Sequence, residues 1–492
     1  MIRAVVGVDI GTSSSKGVLV TLDGRILATA TRSHEPARPN PGWVEMDAAL
    51  WWTEFVAIAR ELGQYDADIV AVGVSGMGPC LAVVDSDSVP LRPAILYGVD
   101  TRATSQIAQL TERFGAAAIL HRTGSALSTQ AVGPKLAWLA DNEPDVFARS
   151  TRFFMPSSWL VYQLTDEYVL DHHSASQCTP MYDSIAHEWY LEWSNQIAPQ
   201  IELPPLKWPG ETAGHVSRAA ALETGLPEGV PVIAGTIDAW SEALSVGGQN
   251  VGDLLLMYGT TMFLVNTIAR RITVPSLWGT VGALPGTRNL AGGMATSGAI
   301  TSWLRTIYGS PAYEELLAEA EASGPGARGL LMLPYFAGER TPVADPDARG
   351  VIAGLTIDHT RGDLYRAALE ATAFGVRHNI EALRAAGGVI DRIVVAGGGT
   401  QGGVWTQIVS DVTGMEQDVP TVTIGASFGA AFLAANTIAD VSIDDWNPIA
   451  TRTYPRSESR DRYNELYQLY LDLYPATSRV AHALAQLNNG VN

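Results

Sequence analysis

Gly7-Val8-Asp9-Ile10-Gly11-Thr12-Ser13-Ser14-Ser15-Lys16 is the stretch on which the fold turns. The apolar run from Ala4 to Val8 predicts a strand that ends at an aspartate, passes through Gly-Thr-Ser-Ser-Ser and returns as a second strand, Gly17 to Val20. Glycine in such a turn lets the backbone approach an anion, and the turn's N–H and hydroxyl groups donate to phosphate oxygens. Lys16 adds a positive charge, and Asp9 a carboxylate suited to a Mg²⁺-bound water. An ordinary hairpin with a polar turn satisfies the same residues, so the turn alone does not separate the two readings.

The pattern recurs about half a chain later. Asp253 to Tyr258 reads as an apolar strand, Gly259-Thr260-Thr261 as a turn and Met262 to Thr267 as the return strand. Each half also carries a glycine-bearing segment after a later strand: Val74-Ser75-Gly76-Met77-Gly78 in the first, Val395-Ala396-Gly397-Gly398-Gly399 in the second. Hairpins are common enough for one echo to arise by coincidence; two paired features favour an internally duplicated architecture. Between the hairpins, Pro231 to Asp238 reads as a strand ending in Gly-Thr and an aspartate, followed by a helix from Ala239 to Val246. Gly247-Gly248 stops it, and the expected boundary falls there, giving domains 1–247 and 248–492.

Elsewhere strands alternate with helices, which sets an α/β class. Asp47 caps a helix with Trp51, Phe55, Ile58 and Leu62 at helical spacing. Asp68 to Ser75 reads as a buried strand, with Leu81 to Val84 as its expected partner. Residues 100–200 read as mostly helical, but Asp171 to Tyr190 carries little period and is expected to be loop with short pieces of structure. His172-His173 lacks a spaced third ligand and is not read as a metal site. Glu339 and Arg340 are expected to pair, and Thr360 with Asp363 forms a capping box for a long helix. Arg392 to Ala396 runs into Gly397-Gly398-Gly399-Thr400-Gln401 and back to helix, a unit suited to a nucleotide's phosphates or ribose. It has neither the GxGxxG phasing of a dinucleotide fold nor a GxxxxGK[ST] loop, which excludes both. Tyr463, Leu466, Tyr467, Tyr470 and Tyr474 form the apolar stripe of a final helix, read as core.

The 492 residues are 47% hydrophobic and 17% charged, enough for large cores and too few charges for a disordered chain. A net charge of −19 argues against a nucleic-acid partner. Two cysteines, Cys80 and Cys178, form no disulfide framework or zinc spacing. No apolar run is long enough for a bilayer, so no membrane partner is expected and the expected location is the cytoplasm.

Taken in order, these motifs resemble the FGGY carbohydrate kinases. They are Asp9-Ile10-Gly11-Thr12, Pro41-Gly42-Trp43-Val44-Glu45, Lys135-Leu136-Ala137-Trp138-Leu139, Gly235-Thr236-Ile237-Asp238, Tyr258-Gly259-Thr260-Thr261, Gly338-Glu339-Arg340-Thr341-Pro342 and the segment from Gly397 to Asp411. The resemblance implies two actin-like (ribonuclease H-like) ATPase domains with a cleft between them, and ATP-dependent phosphorylation of a sugar hydroxyl there. It implies that Asp238 is the catalytic base and that Asp9 holds Mg²⁺ through water. Thr12, Ser13, Ser14 and Lys16 match the first phosphate hairpin, Gly259 and Thr260 the second, and Gly298, Gly398, Gly399 and Gln401 the nucleoside side. The sugar is expected to meet Met77, Gly78, Gln130, Asp238 and Trp240. Gly78-Pro79 stands where xylulokinases carry Met-His, Ala239 stands where they place Asn, and the Arg-Glu pair of glycerol kinases is absent. The expected substrate is a ketopentose, D-xylulose first. Ribulose, gluconate, rhamnulose, fuculose, erythritol or another polyol is the alternative, as is a sugar or nucleotide sensor without turnover. The expected partners are the sugar and ATP, with a homodimer left open.

Overall fold

Residues 1–489 are described by the structure, a computed structural model. They divide into two compact units. The first comprises Met1–Gln249, Ala269–Asn289 and Ile424–Pro448; the second comprises Asn250–Ile268, Leu290–Thr423 and the chain from Ile449 onward. A cut at 247/248 divides the chain by order, whereas packing returns two later segments to the first unit.

In the first unit the near-continuous apolar run of β1 (Ile2–Ile10) is buried on both faces from Ala4 onward. It pairs antiparallel with β2 (Ser14–Thr21), which pairs antiparallel with β3 (Ile26–Ser33). On its other side β1 runs parallel to β4 (Ala67–Gly76). With β5 (Thr212–His215) and β6 (Pro231–Ile233) the order is β5-β6-β4-β1-β2-β3, and β7 (Thr236–Ile237) also lies along β4. Helix Ala48–Leu62 starts at Asp47, whose Oδ1 accepts from the Ala49 N–H at 2.9 Å, and buries Trp51, Phe55, Ile58 and Leu62. A second helix, Ala426–Ala435, is built of small and apolar residues and is buried throughout. It lies so close to β1 and β4 that a Cβ on Gly7 would stand 2.1 Å from the Ser427 carbonyl oxygen, and one on Gly73 2.0 Å from that of Ala430. Only glycine fits at these two strand positions.

One expectation is corrected in this unit. Ala82–Val84 pairs with Arg152–Phe154, not with β4. The stretch from Asp171 to Tyr190 is, as expected, loop with short pieces of structure: helix His172–Ser176, the pair Tyr182–Asp183 with Glu188–Trp189, and at its start the strand Leu170–Asp171, which pairs with Leu206–Lys207. Two-residue strands are too short to show alternation, so this region buries its side chains without a readable period.

The second unit repeats the strand plan. There β8 (Asp253–Tyr258) pairs antiparallel with β9 (Met262–Ile268) and parallel with a later strand, β11 (Arg392–Ala396), as β1 does with β2 and β4. Adding β10 (Arg288–Met294), β12 (Gln417–Pro420) and β13 (Ile449–Thr453) gives the order β10-β9-β8-β11-β12-β13. Helix Arg361–Ala385 begins with the expected box, in which Thr360 and Asp363 cap reciprocally. The final helix, Arg460–Asn489, buries Tyr463, Tyr467 and Tyr470 as core. Glu339 does not pair with the Arg340 guanidinium. Its buried carboxylate accepts the N–H groups of Ala295 at 2.9 Å and Arg340 at 2.6 Å, so backbone donors from its own loop and from the end of β10 satisfy it. Among the described residues no helix is long and apolar enough to cross a membrane.

Candidate active site

The site of the first unit is assembled by strand register. Asp9, at the end of β1, faces Lys16 across the hairpin and Ser75 on β4. The Ser75 hydroxyl donates to Asp9 Oδ1 at 2.8 Å. On the far side of β4, Thr236 and Ile237 pair with Ser75 and Gly76, so Asp238 emerges at the same carboxyl-terminal edge as Asp9. Asp238 opens helix Asp238–Ser245, and its Oδ1 accepts the Ala239 N–H at 2.7 Å. The open end of parallel strands is where α/β folds hold ligands.

Glu242 follows one helical turn after Asp238, and the three carboxylates are mutually uncomfortable. Burial pushes Asp9 up to about 8, with the charges of Asp238 and Glu242 adding and Ser75 and Lys16 opposing. Burial raises Asp238 to about 6. Burial and then Asp238 raise Glu242 to about 7. A site in which every carboxylate resists ionisation is stabilised by a cation. Among the described residues no three His, Cys, Asp or Glu side chains form a group able to hold a metal. Mg²⁺ does not need such a group, since it typically keeps its waters and takes one or two carboxylates together with phosphate oxygens, and the Asp9 carboxylate is of that kind.

The first hairpin turns at Gly11–Ser14, where the Gly11 N–H donates to the Ser14 carbonyl at 3.1 Å. Thr12 is half-buried and Ser13 exposed, and among the described residues their backbone N–H groups have no acceptor, which leaves them for a ligand. Thr12 Oγ1 is 2.9 Å from the Tyr97 hydroxyl, and Ser14 and Lys16 begin β2, with Lys16 exposed.

The second unit offers the matching turn. Gly259 and Thr260 are exposed at the tip, which is anchored from behind by Ser297, Gly298 and Ala299 N–H groups donating to Gly259 and Thr260 carbonyls at 3.0–3.1 Å. A Cβ on Gly298 would stand 2.6 Å from the Gly259 oxygen, so this glycine buttresses the hairpin. Gly399 packs against Trp405 and Tyr258, whereas a Cβ on Gly398 would meet nothing within 4 Å. Gln401, just past this turn, is exposed.

The four residues expected beside Asp238 at the sugar sit in different settings. Met77 is fully buried. Gly78 packs on Ile237, where a Cβ would come within 2.7 Å of Cγ1. Gln130 Oε1 accepts the Gly98 N–H at 3.0 Å, which closes one loop on another. Trp240 is buried, its Nε1–H donating to Asn289 Oδ1 at 2.8 Å and its ring lying 3.9 Å from that of His173. His173 bonds through Nδ1 to the Val281 carbonyl at 2.7 Å and accepts from Gln177 at 2.8 Å, which places it in the core. Ser75, Tyr97 and Glu242 were not singled out from sequence. Glu242 had a readable signal, an acid one turn after an acid on a short helix; Ser75 and Tyr97 become visible only through pairing and packing.

The FGGY family of carbohydrate kinases, N-terminal domain, matches residues 4–245, and its C-terminal domain matches residues 254–438. The chain is 28% identical to a xylulose kinase of Staphylococcus epidermidis over 99% of both chains. It is 31% identical to a glycerol kinase of Nocardia farcinica over 88% of this chain and 90% of that one. The crystal structure of a xylulose kinase from Rhodospirillum rubrum superposes with a TM-score of 0.91 at 32% identity, covering 98% of this chain and all of the other.

Proposed function

The chain belongs to the FGGY family of carbohydrate kinases, and from that premise we propose that it transfers the γ-phosphoryl group of ATP to D-xylulose, giving D-xylulose 5-phosphate and ADP. The observation that carries the chemistry is the convergence of Asp9, the first hairpin and Asp238 on one edge of the first sheet. Asp238 accepts the proton of the attacking hydroxyl through Oδ2, since Oδ1 already accepts from Ala239. The hydroxyl oxygen bonds to the γ-phosphorus as the bond to ADP breaks. A general base contributes about 10²–10⁴ in rate. The remainder comes from positioning and from donors to the phosphates, because phosphoryl transfer asks little covalent help of the protein. We assign those donors to Thr12, Ser13, Ser14 and Lys16 in residues 1–247, and to Gly259 and Thr260, with Gly298, Gly398, Gly399 and Gln401 on the nucleoside side, in 248–492. Asp9 is the residue that would hold Mg²⁺ through water, and the ion would supply neutralisation of charge on the phosphates.

The ketopentose reading is supported by full-length likeness to xylulose kinases. The glycerol kinase match favours a second reading, a smaller polyol acceptor. A coupled ADP-release assay over ketoses, polyols and aldonates tests both. D-Xylulose giving the highest kcat/KM is the expected result. A polyol or another sugar in first place overturns the substrate, and ATP binding without ADP release from any acceptor overturns turnover itself.

A further inference from the structure

Behind the first hairpin lies a buried pair for which the chemistry above has no use. His34 directly follows β3 and Glu54 sits on helix Ala48–Leu62; their side chains are 5% and 10% exposed. His34 Nε2 is 3.0 Å from the Gly11 carbonyl oxygen, and Nδ1 is 2.9 Å from Glu54 Oε2. The same carboxylate oxygen accepts the hydroxyl of Ser15 at 2.6 Å. The backbone N–H of His34 donates to the Ser13 carbonyl at 3.0 Å. A carbonyl oxygen has no proton to give, and Glu54 Oε2 is already an acceptor for Ser15. Both ring nitrogens therefore face acceptors, and the ring form with two N–H donors is the imidazolium.

Gly11, Ser13 and Ser15 are thus gripped at every second residue of the turn, while Thr12 and Ser13 keep their own N–H groups free. We propose that His34, as an imidazolium paired with Glu54, is a positioning residue that fixes the shape of the first phosphate hairpin. The proposal rests on the reading of Gly11–Ser15 as that hairpin. The charge of Glu54 offsets that of His34, so the pair supplies geometry more than field. A charge-assisted bond to Gly11 also resists the pull of a bound anion on the turn better than a neutral one.

The experiment combines calorimetric titration of Mg·ATP with ¹⁵N spectra of histidine-labelled protein, and needs no sugar. At pH 7 the His34 signals, assigned by their loss in His34→Leu, are expected to show both ring nitrogens protonated; Glu54→Gln is expected to shift them to a neutral tautomer. Both variants are expected to weaken ATP binding about fivefold or more, the equivalent of one hydrogen bond. A neutral His34 ring in the unaltered protein overturns the proposal whether or not any variant folds. Unchanged ATP affinity in folded His34→Leu also overturns it. Lys16→Ala and Thr12→Val separate the two layers of argument: if they weaken ATP binding and His34→Leu does not, only the positioning role falls. If none of them does, the hairpin assignment falls first.

Discussion

Replacing Asp238 by Asn is the most direct test of the proposed chemistry. Asn keeps the volume and an oxygen for the Ala239 N–H, which Asp238 Oδ1 accepts at 2.7 Å, but it cannot take a proton from an attacking hydroxyl. The expected loss in kcat is about 10²–10⁴, or roughly 3–5 kcal/mol of transition-state stabilisation at about 1.4 kcal/mol per decade. The pH profile sharpens this expectation. Burial holds the Asp238 carboxyl up at about 6, and only the ionised form is a base. For a single group at that value, activity is half-maximal near pH 6 and falls about tenfold per unit below pH 5. Steady-state ADP release from pH 5 to 8 for both proteins, with urea unfolding to confirm an intact fold, measures each quantity. A variant with near-native kcat would refute the base, and so would an acid limb that survives unchanged in Asp238→Asn.

Thr260→Val removes a hydroxyl exposed at the tip of the second hairpin, and is expected to weaken ATP binding about fivefold, read by calorimetry. Gly429→Ala places a Cβ 1.8 Å from the Ser241 carbonyl oxygen, a contact with backbone that cannot swing away. A loss of about 1–3 kcal/mol or more in urea unfolding is expected, with a shift in midpoint and an unchanged slope. His173 is buried and neutral, and burial pushes it down to about 3. Its folded value lies below its unfolded one, so the unfolded chain takes up the proton first and stability falls as pH drops from 6.5 toward 3. Between pH 6.5 and 5 this site accounts for about 1.6 kcal/mol, and His173→Gln is expected to lose that much less over the same interval. Equal losses in both proteins would contradict the assignment.

Both hairpins were legible because a strand, a glycine turn and a return strand are local, and their recurrence needs no knowledge of packing. The place of Asp238 was legible for the same reason, as an acid just past Gly235-Thr236-Ile237 at a strand end. Ser75 was read as part of a strand, yet its bond to Asp9 depends on which residue of β4 stands opposite, which register alone fixes. The region from Asp171 to Tyr190 was illegible because its order comes from burial of aromatic and histidine side chains against segments far along the chain, such as the Val281 carbonyl that holds His173. For the small-residue helix Ala426–Ala435, nothing local in the sequence says that its partners are β1 and β4. Trp240 was expected at the sugar, and that its ring also meets His173 and Asn289 is set by packing that no local pattern records.

The two glycines that admit helix Ala426–Ala435 onto β1 and β4 carry a consequence for how the protein is made. The first sheet leaves the ribosome early, but the helix that covers its Gly7 and Gly73 is translated only after most of the second unit. A nascent chain shorter than about 435 residues therefore carries a sheet face with a helix-shaped vacancy, apolar and open to chaperones or to aggregation. Folding of the first unit ends with a contact between segments far apart in the sequence, a slow, high-separation closure. Fragments cut near residue 250 should accordingly remain soluble only when the missing helix is supplied on a second piece, which makes this enzyme a natural candidate for splitting and reassembly.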